Sequence, residues 1–313
     1  MPGVRSYSSP RSPSMAIPPN YAATIRHGAW LARALARSAL TARPLDDVAA
    51  MAIVRAPNAG RSSWAPVDGE IRVDVGPPHA SLALAILDVA APRGTIFVLH
   101  GIRDTKDAMR GWAAVVANAG YRPVLVDLRG HGRSSGDVLT YGVQEAADLT
   151  RVLDALSARE GPLGPVGVMG HSYGASTAIQ WAGRDPRVAA VVAVAPFASL
   201  REVVPGYLPW ELPDALARRI IRRAGELAGF DPDEANAERA AAQTHADILL
   251  FHGSADRRVR PWHSERIRAA APRRAELVLV DGASHDGVAG SPKTQLAQRS
   301  IEWFRTRLRE RAN

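Results

Sequence analysis

The chain has 313 residues, 46% of them hydrophobic and 22% charged, which is an ordinary globular composition with enough length for a sizeable core. It contains no cysteine, which excludes disulfides, thiolate nucleophiles and cysteine-ligated zinc, and no apolar stretch of about eighteen residues that would read as a membrane span. The formal net charge is +8, yet the arginines are scattered without a long basic run and lysine occurs only at Lys106 and Lys293, so no nucleic-acid partner is expected.

Residues 1–20 are rich in serine and proline and read as disordered. No acidic residue precedes Asp46, whereas Arg5, Arg11, Arg26, Arg33, Arg37 and Arg43 do. Such an acid-free, arginine-rich start has the character of a transit peptide or a membrane-surface helix, which makes residues 21–43 the candidate for peripheral membrane contact. On a helix, Arg26, Arg33 and Arg37 share one face with Leu31 and Leu35 opposite, so the alternative is a helix packed on the domain with its arginines in water. Arginines interrupt each candidate apolar core, so no secretory leader is expected. Freedom from cysteine suits either redox compartment; the expectation is cytoplasmic. Residues 1–65 are set apart as an N-terminal extension, a disordered start followed by a helix.

From residue 66 the pattern alternates between strand and helix. "EIRVDV" (70–75) and "SLALAIL" (81–87) read as strands that could pair antiparallel. Then follow "TIFVLHG" (95–101), "RPVLVDLRG" (122–130), "GPVGVMG" (164–170), "VAAVVAVAP" (188–196), "DILLFHG" (247–253) and "AELVLVDG" (275–282). Continuous apolar runs of this length suit strands buried on both faces. Helices are expected at 106–119, 142–158, 173–183, 263–271 and 294–308, the last opened by Ser291 as N-cap and Pro292 in the first turn. The alternation predicts an α/β fold with a parallel sheet, helices on both faces and reactive groups at the carboxyl ends of strands. Residues 204–245 break the rhythm with Pro205, Pro209, Pro213 and the aromatic pair Tyr207 and Trp210, then a charged helical stretch, and read as an inserted cap.

"VMGHSYGAS" (168–176) places Ser172 between a strand and a helix, flanked by Gly170 and Gly174. A turn this sharp leaves no room for side chains at the two glycines, and it seats the serine oxygen beside the free N–H groups of a helix start. A serine hydroxyl is too weak an acid to attack unaided; it needs a base, and the base needs an orienting acid. His285, in a loop just past the last predicted strand, is the best placed base, and Asp256, after "DILLFHG", is the acid. Asp231 and Asp233 lie in the cap, while Asp281 and Asp286 flank the histidine too closely. An oxyanion would need two donors: the backbone N–H of Tyr173, at the helix start, and that of Ile102, after "TIFVLHG".

Together these residues resemble the α/β-hydrolase family over roughly residues 66–313. The resemblance rests on His100-Gly101, the segment Gly170-His171-Ser172-Tyr173-Gly174, Asp256, His285 and the chain order serine, aspartate, histidine. "DLRGHGRSSG" (127–136) and "DPRVAAVVAVAPFASL" (185–200) resemble the monoglyceride-lipase-like and serine aminopeptidase-like branches. The resemblance implies an eight-stranded, mostly parallel sheet with helices on both faces and a small helical cap, in a hydrolase domain over 66–313 with the cap at 204–245. It implies cofactor-free hydrolysis through an acyl-enzyme but does not supply the substrate; a small-molecule ester is expected as substrate, and no metal. It also gives Asp127 and Arg129 a structural place. Ile102 departs from the residues relatives often carry there. The expected activity is that of a serine carboxylesterase or lipase-like hydrolase, with Tyr207, Leu208, Trp210 and Trp262 as candidate pocket residues. An amide hydrolase or an acyltransferase on the same three side chains is the alternative, and a non-catalytic binding protein is a further one. Epoxide hydrolases and haloalkane dehalogenases share the fold but place an aspartate where Ser172 stands.

Overall fold

A computed structural model describes residues 44–61, 69–207, 213–288 and 295–308. Eight strands form one sheet: β1 (Ile71–Val75), β2 (Ala80–Ile86), β3 (Thr95–Leu99), β4 (Arg122–Val126), β5 (Val166–His171), β6 (Val188–Val194), β7 (Asp247–Gly253) and β8 (Ala275–Val280). Their order is β1-β2-β4-β3-β5-β6-β7-β8. β1 pairs antiparallel with β2, and β2 antiparallel with β4; every later pairing is parallel. Central β3 is buried at every residue, whereas β1 and β8 at the edges alternate with exposed positions. Apolar runs on both faces therefore appear where helices cover both faces, as the continuous Val/Ile/Leu patterning required.

The helices divide between two cores. On one face, α2 (Arg110–Asn118) and the C-terminal helix (Gln295–Arg307) bury Trp112, Val116, Ile301 and Phe304 against Ile96, Val98 and Val192. On the other, α3 (Val143–Glu160) and α4 (Tyr173–Arg184) bury Leu149, Val152, Ile179 and Trp181 against Phe97, Val168 and Val191. Trp181 meets Phe97 edge-on at 4.9 Å, in the T-shaped arrangement aromatic quadrupoles favour.

β3, β4, β6 and β8 end two to four residues sooner than the sequence patterning, whereas β7 ends at Gly253 as expected and β5 runs one residue further, to His171. The stretch expected as one helix over 106–119 opens as a 3₁₀ turn (Lys106–Met109) before α2. Ser291 and Pro292 lie outside the described residues, as do residues 21–43. Within the stretch set apart as the extension, α1 (Leu45–Val54) is a helix that the alternation did not signal. Its Ala49, Ala50, Ile53 and Val54 belong to the larger core. After β6 come α5 (Leu200–Val203), a 3₁₀ turn (Val204–Tyr207), α6 (Asp214–Ala228) and α7 (Ala237–Gln243). α6 packs against α1, while α7 lies against α4 and α8 (Trp262–Ala270), so the expected cap stretch is shared between a paired helix and the body of the fold. The C-terminal helix is α9.

Candidate active site

Ser172 sits between β5 and α4 with φ 52° and ψ −110°, a backbone region that a residue with a side chain adopts only at some cost. The surroundings hold it there: its N–H donates to Val194 O (2.8 Å) and its carbonyl accepts from Ser176 N–H (3.1 Å). The flanking glycines are needed for space. A Cβ on Gly170 would stand 2.4 Å from the Gly174 carbonyl, and one on Gly174 would stand 2.5 Å from His100 O. The sharp turn thus brings the serine up at the carboxyl end of the central strand pair.

His285 and Asp256 reach the same point from the loops after β8 and β7. Ala255 N–H donates to Ala283 O (3.0 Å), which ties the two loops together. His285 Nδ1 lies 2.6 Å from Asp256 Oδ2, and His285 Nε2 lies 2.9 Å from Ser172 Oγ. An ionised carboxylate only accepts, so Nδ1 carries the proton and Nε2 is left to accept from the serine hydroxyl. All three side chains are buried. Burial alone would raise the Asp256 carboxyl. Hydrogen bonds from His252 and His285 and from the Val259 N–H outweigh it and hold the group well below the usual carboxylate range.

The expected oxyanion donors are carried by different elements. Tyr173 is the first residue of α4, where backbone N–H groups have no intrahelical acceptor. Its ring is anchored by a hydrogen bond from its hydroxyl to buried Glu145 (2.7 Å). Ile102 lies in the loop after β3. The preceding Gly101 approaches the elbow so closely that a Cβ there would be 3.9 Å from Ser172 Cβ. Asp127 pins that loop: its carboxylate accepts from Lys106 N–H (2.7 Å), Lys106 Nζ (2.6 Å) and Arg133 N–H (2.8 Å). Arg129 makes a two-point pair with Asp148 (2.8 Å each) and also donates to Pro78 O. Asp127 and Arg129 therefore organise loops.

Of the expected pocket residues, Leu208 and Trp210 lie outside the described residues, and Tyr207 closes the 3₁₀ turn. Trp262 opens α8, stacked on His263 at 3.7 Å with the Arg266 guanidinium 5.9 Å from its ring. His252, inside the "DILLFHG" run, and Glu145 carry no local signal of a place at the site. One potential metal-ligand group occurs among the described residues: His171, His285 and Asp286 each offer an atom within 4.8 Å of the others. Its members are otherwise engaged. Both nitrogens of His285 serve Ser172 and Asp256, Asp286 pairs with Arg258 at 3.1 Å, and His171 Nε2 donates to His285 O (3.2 Å). Burial lowers His171 to about 4, so it is neutral near pH 7.

Residues 90–228 match the family described as "Serine aminopeptidase, S33". An uncharacterized protein of Mycobacterium tuberculosis is 30% identical over 193 residues, 61% of this chain and 62% of that one. Epoxide hydrolase B of the same organism is 37% identical over 112 residues, 33% of this chain and 29% of that one. The chain thus spans about three fifths of the length of the first relative and less than a third of the second. Among solved structures, the Pyrococcus furiosus esterase Pf2001 superposes with a TM-score of 0.65 at 21% identity, covering 82% of this chain and 98% of that one. A dienelactone hydrolase from Anabaena variabilis superposes with a TM-score of 0.54 at 22% identity, over 77% of this chain and 98% of that one. With its sheet order, its strained turn after β5 and these likenesses, the chain has the α/β-hydrolase fold.

Proposed function

We propose that the protein is a serine hydrolase that cleaves carboxylic esters through an acyl-enzyme intermediate. The observation that carries the reading is the continuous hydrogen-bonded chain Ser172–His285–Asp256, at 2.9 Å and 2.6 Å. His285 Nε2 takes the Ser172 proton as Oγ attacks the ester carbonyl. The ionised Asp256 holds Nδ1–H and stabilises the imidazolium that forms. The N–H groups of Tyr173 and Ile102 receive the developing oxyanion. The imidazolium then returns its proton to the alkoxide, the alcohol leaves, and water repeats the cycle on the acyl-enzyme. The Pyrococcus furiosus neighbour, an esterase, supports the ester reading. Ser172 stands against the alkyl-enzyme route of an epoxide hydrolase, since that route starts from a carboxylate.

The description of the matched family favours amide cleavage as a second reading on the same residues. Amide cleavage of that kind needs an acid for the substrate's amine; in the expected cap stretch, Glu211 lies outside the described residues and Asp214 is exposed at the start of α6. Ester cleavage needs no such group. A panel of p-nitrophenyl esters from acetate to palmitate, run beside aminoacyl p-nitroanilides, separates the two. Ester turnover is expected, together with fluorophosphonate labelling of Ser172. Ser172→Ala is expected to remove labelling and to lower kcat by at least about a thousandfold with little change in melting temperature. Residual activity near wild type in Ser172→Ala would overturn the proposal.

A further inference from the structure

Asp256 faces two imidazoles, and the second is His252. It lies within the last two residues of β7, four residues before the aspartate, with none of its surface exposed. Its ring is fixed from both sides. Nδ1 lies 2.6 Å from Ser264 Oγ on α8, and Nε2 lies 2.7 Å from Val259 O and 3.4 Å from Asp256 Oδ2. A carbonyl and an ionised carboxylate can only accept, so Nε2 carries the proton and Nδ1 accepts a hydrogen bond from the Ser264 hydroxyl. Val259 is held on both its backbone groups. Its N–H, like that of Arg258, donates to Asp256 Oδ1 (2.9 Å each), and its carbonyl accepts from His252. The turn 256–259 is therefore attached to the end of β7 at both ends: Asp256 N–H donates to Gly253 O (3.1 Å), and the His252 imidazole holds Val259.

We propose that His252 is a positioning residue of the catalytic group: by anchoring the 256–259 turn and sharing its Nε2–H with Oδ2, it aims the Asp256 carboxylate at His285 Nδ1. The inference rests on the serine-hydrolase reading above. It assigns the four polar contacts of the carboxylate to two tasks. The N–H groups of Arg258 and Val259 fix Oδ1, while His252 limits how far Oδ2 can swing away from His285. A histidine filling space in the core would need only its volume. A positioning histidine needs its Nε2–H.

Two substitutions separate these roles. His252→Gln keeps a donor near the place of Nε2, whereas His252→Phe keeps the ring volume and deletes the donor. In His252→Phe, kcat for p-nitrophenyl butyrate is expected to fall about tenfold with KM within about twofold, the scale of one lost charge-assisted hydrogen bond expressed in the transition state. His252→Gln is expected to recover most of that loss. The low-field proton resonance of the short His285–Asp256 hydrogen bond should shift or broaden in His252→Phe and persist in His252→Gln. Measured in a Ser172→Ala background, that resonance reads the positioning role without reference to turnover, so an inactive wild type would sink the hydrolase reading while leaving this test intact. Should His252→Phe fail to fold, Ser264→Ala loosens the far side of the same ring and is expected to move the resonance in the same direction. Wild-type kcat and an unmoved resonance in His252→Phe, equal losses in the Phe and Gln variants, or an unmoved resonance in Ser264→Ala would each overturn the proposal.

Discussion

Two sets of arginine–carboxylate pairs in this molecule, one buried and one exposed, work differently. Behind the candidate site, Arg129 and Asp148 are each 2% exposed and meet through two 2.8 Å hydrogen bonds. Between α1 and α6, Arg219 pairs with Asp46 and Arg223 with Asp47, each at 2.6 Å, with side chains a quarter to nearly two thirds exposed. The distances are alike, but the dielectric surroundings are not. Water and salt screen the outer pairs, and the adhesion of the two helices falls to their apolar residues: Ala49, Ala50 and Ile53 on one, Ile220, Ile221 and Ala224 on the other, all in one core. The inner pair has no water to fall back on, so each partner depends on the other.

Breaking the inner pair is the largest effect expected on stability. Arg129→Met leaves Asp148 buried opposite an apolar chain and should cost about 3–5 kcal/mol in urea unfolding. Asp148→Leu added to it removes the stranded carboxyl and should restore part of the loss. A change below about 1 kcal/mol in the single variant would erase the distinction between the two regions.

Acid probes buried groups across the fold, with a loss of similar size spread over about two pH units. Burial lowers His131 to about 3 and both His171 and His263 to about 4, so these rings stay neutral in the native state while the unfolded chain takes up protons from the ordinary value of 6.5 downward. Asp148 works in the opposite sense, because burial lifts its carboxyl to about 6 in spite of its hydrogen bonds to Arg129, and the native state then gains a proton before the unfolded one does. Three protons gained on unfolding against one gained by the native state leave the unfolded chain ahead. Stability should therefore fall as pH drops from about 6.5 towards 4, by roughly 2–3 kcal/mol per unit near pH 5. Urea midpoints at pH 7 and pH 5 measure it; a midpoint that holds or rises at pH 5 would show that these histidines are not held neutral by the fold.

The same contrast governs how much could be read from sequence. The strands and the elbow were legible because each is dictated locally: a β3 buried on both faces must be a continuous apolar run, and the turn at Ser172 admits only glycine at 170 and 174. Asp256 and His285 were legible through their places after strands. His252 was not, since nothing beside a His-Gly dipeptide reveals that its ring will meet a carboxylate four residues on and a serine on the next helix. A helix was expected in the extension, but its place at α1 was not legible, since the apolar face at Ala49, Ala50 and Ile53 has meaning only once α6, more than 150 residues later, lies beside it. What is long-range in the chain leaves no periodic mark.

The smallest effect is expected at the outer pairs. Asp46→Asn combined with Asp47→Asn deletes both acidic partners of α6 while leaving the apolar seam untouched. Exposed side chains that lose an ion pair regain water, and the freed arginines recover the rotamers that pairing restricted, so the melting temperature should move little. Raising salt to about 0.5 M, where the screening length is only a few ångströms, should leave wild type and variant still closer together. A loss in the double variant as large as that from Arg129→Met would mean that α1 is held on α6 by charge rather than by its buried alanines and isoleucine, and that exposure is a poor guide to the worth of an ion pair in this molecule.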